Sequence, residues 1–302
     1  MEDGIQRANV GGGIELAYER FGDPADPSLL LVMGLGTQML GWREEFCLAL
    51  AGRGLHVIRF DNRDVGLSTH LHDAPPPDVM AALGGDHASA AYTLSDMAAD
   101  TVALLDALGL QSAHLVGASL GGMIAQTVAI EHPRRVRSLT SIMSSTGDHE
   151  VGQATPEALT ALLSPPAQSR EEAIARTVAI FRVIGSPRYD REEDDLRERT
   201  GQAYDRAYDS AGVARQLVAV LASGDRTARL RELDVPTLVI HGAQDPLVDV
   251  SGARATAEAV HGAELVVFDG MGHDLPRALW PEVVDRIGRL VERTEQARVG
   301  AS

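Results

Sequence analysis

Lysine is absent from this 302-residue chain: all 27 basic side chains are arginine. That excludes chemistry running through a lysine amine, including Schiff-base catalysis, pyridoxal phosphate anchoring and the lysine of a Walker loop. Cysteine is nearly absent too. The single Cys47 rules out an intrachain disulfide, and its place in an amphipathic stretch over 42–51 marks it as a core side chain rather than a nucleophile. No run of about 18 uninterrupted apolar residues occurs, so no membrane-crossing helix is expected. The acidic start Met1-Glu2-Asp3-Gly4 leads into no apolar segment of the secretory type, and the chain reads as soluble and cytoplasmic. Positive charge is scarce: 43 acidic residues against 27 basic ones leave a net charge of −16, with no basic cluster. Nucleic acid, anionic membranes and strongly anionic substrates are therefore disfavoured as partners.

What remains can build a sizeable core. Hydrophobic residues make up 44% of the chain, and its length suits one large α/β domain with an inserted lobe. Residues 5–10 and 14–20, separated by Gly11-Gly12-Gly13, have the pattern of a β-hairpin. The run Leu29-Leu30-Leu31-Val32-Met33 suits a strand buried on both faces of a parallel sheet. A helix over 42–51 and a strand over 55–60 follow. Thr93-Leu94-Ser95-Asp96 is a capping box, opening a helix that Gly109 closes. Strands over 112–116 and 136–143 bracket a helix over 122–130. From about 147 to 230 the rhythm changes: helical stretches at 156–163, 171–184 and 211–221 alternate with a charged run at 190–199, and no buried strand appears. Strands return at 235–240 and 264–268, and a final helix starts near Pro281.

The densest chemical signal is Gly117-Ala118-Ser119-Leu120-Gly121, a G-x-S-x-G pentapeptide between an expected strand and an expected helix. That context is what a nucleophile elbow needs: a sharp turn exposes the Ser119 hydroxyl above a parallel sheet, and glycines flank it where a Cβ would clash. A serine hydroxyl is a poor nucleophile at neutral pH and needs a base, which needs an orienting carboxylate. Asp245 lies in the loop after the strand over 235–240, and His273 in the loop after the strand over 264–268. Loops at the carboxyl ends of parallel strands gather along one edge of the sheet, so the three residues can converge. Taken singly, Asp245 before Pro246 is an ordinary turn former and His273 one of ten histidines. Their order and their places at strand ends join them. Asp249 is the second candidate for the acid.

Acyl transfer also needs N–H donors for the developing oxyanion. Leu120, after the nucleophile, supplies one backbone N–H, and Leu35 in Gly34-Leu35-Gly36 supplies the other. A dinucleotide reading of that loop fails because Met39 stands where a third glycine belongs. His70 and His72 form a close pair, but no ligand set of recognisable spacing joins them. They read as a solvated loop, and no metal or cofactor is expected.

At these residues the chain resembles the α/β-hydrolase superfamily over nearly its whole length. The residues concerned are Met33-Gly34-Leu35-Gly36, Asp61-Asn62-Arg63-Asp64-Val65-Gly66-Leu67-Ser68, the elbow, Gln244-Asp245-Pro246 and Gly270-Met271-Gly272-His273. More narrowly, Gly22-Asp23-Pro24-Ala25-Asp26-Pro27, Leu30-Leu31-Val32-Met33-Gly34 and Leu55-His56-Val57-Ile58-Arg59 look like the anthracycline (aclacinomycin-type) methylesterases. Those enzymes hydrolyse a carboxymethyl ester on an aromatic polyketide. The resemblance implies Ser119, Asp245 and His273 as triad, and Leu35 and Leu120 as oxyanion positions. The Leu35 position looks like glycine in that family, and the helical insertion shows no resemblance.

The expected fold is thus α/β, an α/β-hydrolase with a mainly parallel eight-stranded-type sheet flanked by helices. Its core would span 1–147 and 231–302, with a helical cap over 148–230. The expected activity is hydrolysis of a hydrophobic small-molecule carboxylic ester. A lactonase, thioesterase or carbon–carbon bond hydrolase would use the same triad, and a non-hydrolytic binding protein could keep the fold.

Overall fold

A computed structural model describes residues 4–300. Strands β1 (Gln6–Gly11) and β2 (Ile14–Phe21) form the opening hairpin, followed by β3 (Ser28–Val32), helix α1 (Glu44–Ala51) and β4 (His56–Phe60). Next come α2 (Val79–Leu83), α3 (Leu94–Ala107), β5 (Ala113–Ala118), α4 (Leu120–Glu131) and β6 (Val136–Ile142). Five helices then follow without a strand: α5 (Pro156–Leu162), α6 (Arg170–Ile184), α7 (Glu193–Arg206), α8 (Ser210–Ser223) and α9 (Thr227–Leu230). The chain closes with β7 (Thr237–Gly242), α10 (Val250–Ala259), β8 (Glu264–Phe268) and α11 (Trp280–Gly300).

The eight strands make one sheet in the order β1-β2-β4-β3-β5-β6-β7-β8, antiparallel at β1·β2 and β2·β4 and parallel elsewhere. Every residue of β3, β4, β5 and β7 is buried, as continuous apolar runs in a parallel sheet require. Side chains alternate across the pleat. Leu30 and Val32 join the core beneath α3 and α4, while Leu29 and Leu31 join the core beneath α1 and α11. Thr93 and Asp96 form the expected capping box at α3.

One expectation is corrected. The charged run 190–199 is not a break between helices, because α7 covers most of it. This helix is polar nearly all round, so it has no apolar stripe to read. Acidic residues in its first turn and the i,i+4 pairs Glu193–Arg197 and Asp195–Arg199 support it instead. Helices α2 and α10 were not expected either; each begins at an aspartate cap, Asp78 and Asp249.

Candidate active site

Strand β5 passes into α4 through Ser119 alone, which takes φ +55° and ψ −120°. A non-glycine residue at positive φ is strained by roughly 1–3 kcal/mol and persists only where its surroundings hold it. Ser119 N–H donates to Ile142 O at 2.8 Å, and Ser119 O accepts from Gly122 N–H and Ser144 Oγ, each at 2.9 Å. The glycines on either side are steric necessities. A Cβ on Gly117 would sit 2.1 Å from Gly121 O, and one on Gly121 2.1 Å from Val32 O. The serine is left half-buried at the carboxyl edge of the sheet.

There His273 meets it. Its Nε2 lies 3.0 Å from Ser119 Oγ, and its Nδ1 lies 2.7 Å from Asp245 Oδ2. A carboxylate can only accept, so Nδ1 carries the proton and the Nε2 lone pair faces the serine hydroxyl. Asp245 divides its oxygens: Oδ1 accepts from the N–H groups of Leu247 and Val248, both at 2.9 Å, and Oδ2 faces His273. One oxygen of Asp245 thus serves the turn and the other contacts His273. Burial works against its charge, but the adjoining His273, hydrogen-bonded to it, and the nearby His241 outweigh burial and hold the carboxyl below the usual range. His241 is fully buried, donates to Val248 O at 2.7 Å and stands 3.4 Å from Asp245 Oδ2. Asp249, the second candidate, gives its carboxylate to Ser251 N–H at the start of α10.

Leu120 is the first residue of α4, where backbone N–H groups have no partner within a helix. Leu35 lies in a turn closed by Thr37 N–H to Gly34 O at 3.2 Å, a bond that leaves the Leu35 N–H out. Gly34 brings this turn against the elbow: a Cβ there would meet Ser119 Cβ at 3.2 Å.

The helices between β6 and β7 hold loops on both sides of the Ser119–His273 contact, and sequence reasoning missed the residues that do so. At the end of α6, Ile184 O accepts from His273 N–H at 2.7 Å and Ser186 Oγ accepts from Gly272 N–H at 2.9 Å. Asp274 Oδ1 accepts from Ser186 N–H at 2.9 Å and from its hydroxyl. Across the site, the motif after β4 is a socket for α7 and α8. Arg206 pairs with buried Asp61 at 2.6 Å, and Arg215 pairs through two nitrogens with buried Asp64, at 2.7 and 2.9 Å. Gln216, fully buried, bridges that motif to the Leu35 turn. No local motif marks any of these, since their partners lie 86 or more residues away.

His70 corrects a second expectation, because it is not a solvated side chain. Its Nδ1 stands 2.8 Å from Asp209 Oδ2 and its Nε2 2.9 Å from Gly66 O, with His72 stacked on it. These two histidines and Asp209 are close enough to hold a cation. Yet both His70 nitrogens already face oxygens, and Arg215 reaches the same Asp209 oxygen at 3.3 Å. The arrangement is a hydrogen-bonded cluster in which Asp209 pairs with Arg215.

The sheet is mainly parallel with helices on both faces, and the strained serine turn and the serine–histidine–aspartate contacts lie at its carboxyl edge. The chain belongs to the α/β-hydrolase fold family, whose model matches residues 27–276. It is similar to the rhodomycin D methylesterase DauP of Streptomyces sp. strain C5, with 31% identity covering 88% of this chain and 91% of that one. The similarity to DnrP of Streptomyces peucetius, also a rhodomycin D methylesterase, is 30% over the same shares. The resemblance to anthracycline methylesterases is therefore borne out. Among solved structures, a hydrolase from Pseudomonas aeruginosa PA01 superposes with a TM-score of 0.69 at 25% identity, covering 96% of this chain and 97% of that one. No described helix is long and apolar enough to cross a membrane.

Proposed function

We propose that the chain hydrolyses carboxylic esters through an acyl-enzyme at Ser119. Ser119 Oγ attacks the acyl carbon while His273 Nε2 takes its proton; that proton then passes to the leaving alkoxide, releasing the alcohol. Asp245 keeps Nδ1 protonated and stabilises the imidazolium. The N–H groups of Leu35 and Leu120 receive the carbonyl oxygen as it becomes negative. Water, deprotonated by the same His273, attacks the acyl-enzyme and restores the serine. The carrying observation is the unbroken contact chain from Ser119 through His273 to Asp245, at 3.0 and 2.7 Å, on three loops at one sheet edge.

Residues 148–230 act as a helical cap over this edge. Similarity to the two rhodomycin D methylesterases supports a methyl ester of a hydrophobic or aromatic metabolite as substrate. The test is hydrolysis of p-nitrophenyl esters from acetate to decanoate, followed by methyl esters of aromatic polyketides. Hydrolysis should fall by on the order of 10⁴–10⁶ in Ser119→Ala. A wild-type protein that cleaves none of these esters and is not labelled at Ser119 by a fluorophosphonate overturns the proposal.

A further inference from the structure

Gln216 sits on α8, outside the serine–histidine–aspartate chain, yet its amide is fully buried and used at both ends. Its Oε1 accepts from Gly36 N–H at 2.9 Å, and its Nε2 donates to Arg63 O at 2.8 Å. The amide therefore ties the turn after β3 to the loop after β4, and does so from the helical insertion.

The turn it grips is the one carrying Leu35. Gly36 takes φ +62°, a conformation that glycine adopts without cost, and a Cβ there would strike Val213 of α8 at 2.8 Å. Two residues further, Gln38 Nε2 donates to Ala203 O and Ala207 O at 2.7 and 2.8 Å, and its Oε1 accepts from Arg206 at 2.8 Å. Met39 N–H donates to Asp61 Oδ1 at 2.7 Å. Downstream of Leu35 the loop is thus fastened at three successive points. The turn from Gly34 to Thr37 is closed by Thr37 N–H to Gly34 O, and the Gly36 bond anchors its central peptide from α8, so Gln216 sets how the turn that carries the Leu35 N–H is held against the elbow.

We infer that Gln216 is a positioning residue for the acyl-transfer step: it aims the Leu35 N–H at the oxyanion through Gly36, making the insertion part of the catalytic machinery. This rests on the ester-hydrolase reading of the site. An oxyanion donor is felt only when the carbonyl oxygen has become tetrahedral and negative. Losing its alignment must therefore lower kcat and leave ground-state binding nearly unchanged.

The experiment compares wild type with Gln216→Met, which keeps length and volume but neither hydrogen bond, and with Gln216→Glu. In Gln216→Met, kcat on a p-nitrophenyl ester should fall about 10–100-fold, with KM within about threefold. Affinity for an aryl trifluoromethyl ketone, whose adduct carries the oxyanion, should fall by the same factor as kcat. Gln216→Glu carries a carboxyl that is protonated when buried, so it accepts from Gly36 and donates to Arg63 as the amide does. Relative to wild type at the same pH, it should recover much of kcat at the acidic end and lose it as pH rises and the carboxyl ionises against Arg63 O. Unchanged kcat in Gln216→Met overturns the inference. So does a loss shared equally by KM, thermal midpoint and kcat with no recovery in Gln216→Glu, which would mean a purely structural role. An inactive wild type is a different result and would remove the ester-hydrolase reading itself.

Discussion

Asp245 gives one oxygen to a turn and the other to His273, so its substitution can separate folding from catalysis. Asparagine keeps an acceptor for Leu247 and Val248 but turns an amide N–H toward His273 Nδ1, forcing the wrong tautomer. Asp245→Asn should lower kcat by on the order of 10⁴ while circular dichroism and the thermal midpoint stay close to wild type. Asp249→Asn should stay within a few-fold in kcat, since that side chain caps α10. Equal losses in the two variants would remove Asp245 from the acid role. The depressed carboxyl of Asp245 also fixes a sign. Its contribution to stability is present above the ordinary carboxylate range and is lost only as pH falls through its lower folded value. It stays charged wherever the enzyme is folded and assayed near neutrality.

Among elements, the end of α6 and the His273 loop behave as one unit. Ser186 links Gly272 N–H to Asp274, on either side of His273. Ser186→Ala removes that link but keeps the bonds from Ser186 N–H to Asp274 and from His273 N–H to Ile184 O. The expected result is a kcat lower by about tenfold, from a base displaced by a fraction of an ångström, with a thermal midpoint only a few degrees down. Steady-state kinetics beside a melting curve check this; unchanged kcat would confine Ser186 to packing. The same elements show what could be read from the chain. Ser119, Asp245 and His273 were legible because each follows an apolar strand, and strand ends in a parallel sheet share an edge. The approach of the Gly34–Leu35 turn to the elbow was legible for the same reason. Helix α7 was not, because helices are read from an apolar stripe and this one rests on charge pairs. Ser186, Asp274 and Gln216 were invisible because they act across 86 to 180 residues of separation and belong to no local motif.

For the whole molecule, a pH lever lies on the strand that leads to the elbow, at its opposite end. His114 on β5 is buried, with Nδ1 2.8 Å from Ser138 Oγ and Nε2 3.3 Å from Glu295 of α11. Burial pushes its pKa down to about 4, against the pull of the Glu295 charge and with the help of Arg137. The unfolded chain, where histidine titrates near 6.5, therefore binds more protons than the folded one between those values. Stability should be complete above about pH 6.5 and should fall as pH drops toward 4. Urea midpoints across that window should decline less steeply in His114→Gln than in wild type, and parallel slopes would rule His114 out. The net charge of −16 adds its own pH dependence, but it is common to both proteins and cancels in the comparison.

The pairs Asp61–Arg206 and Asp64–Arg215 carry a consequence for engineering. Each sets a carboxylate from the core against a guanidinium from the insertion, both largely out of water. Grafting a foreign insertion that lacks these arginines would strand two negative charges inside the protein, at several kcal/mol apiece. A chimera must therefore exchange the loop after β4 together with the helices that plug into it.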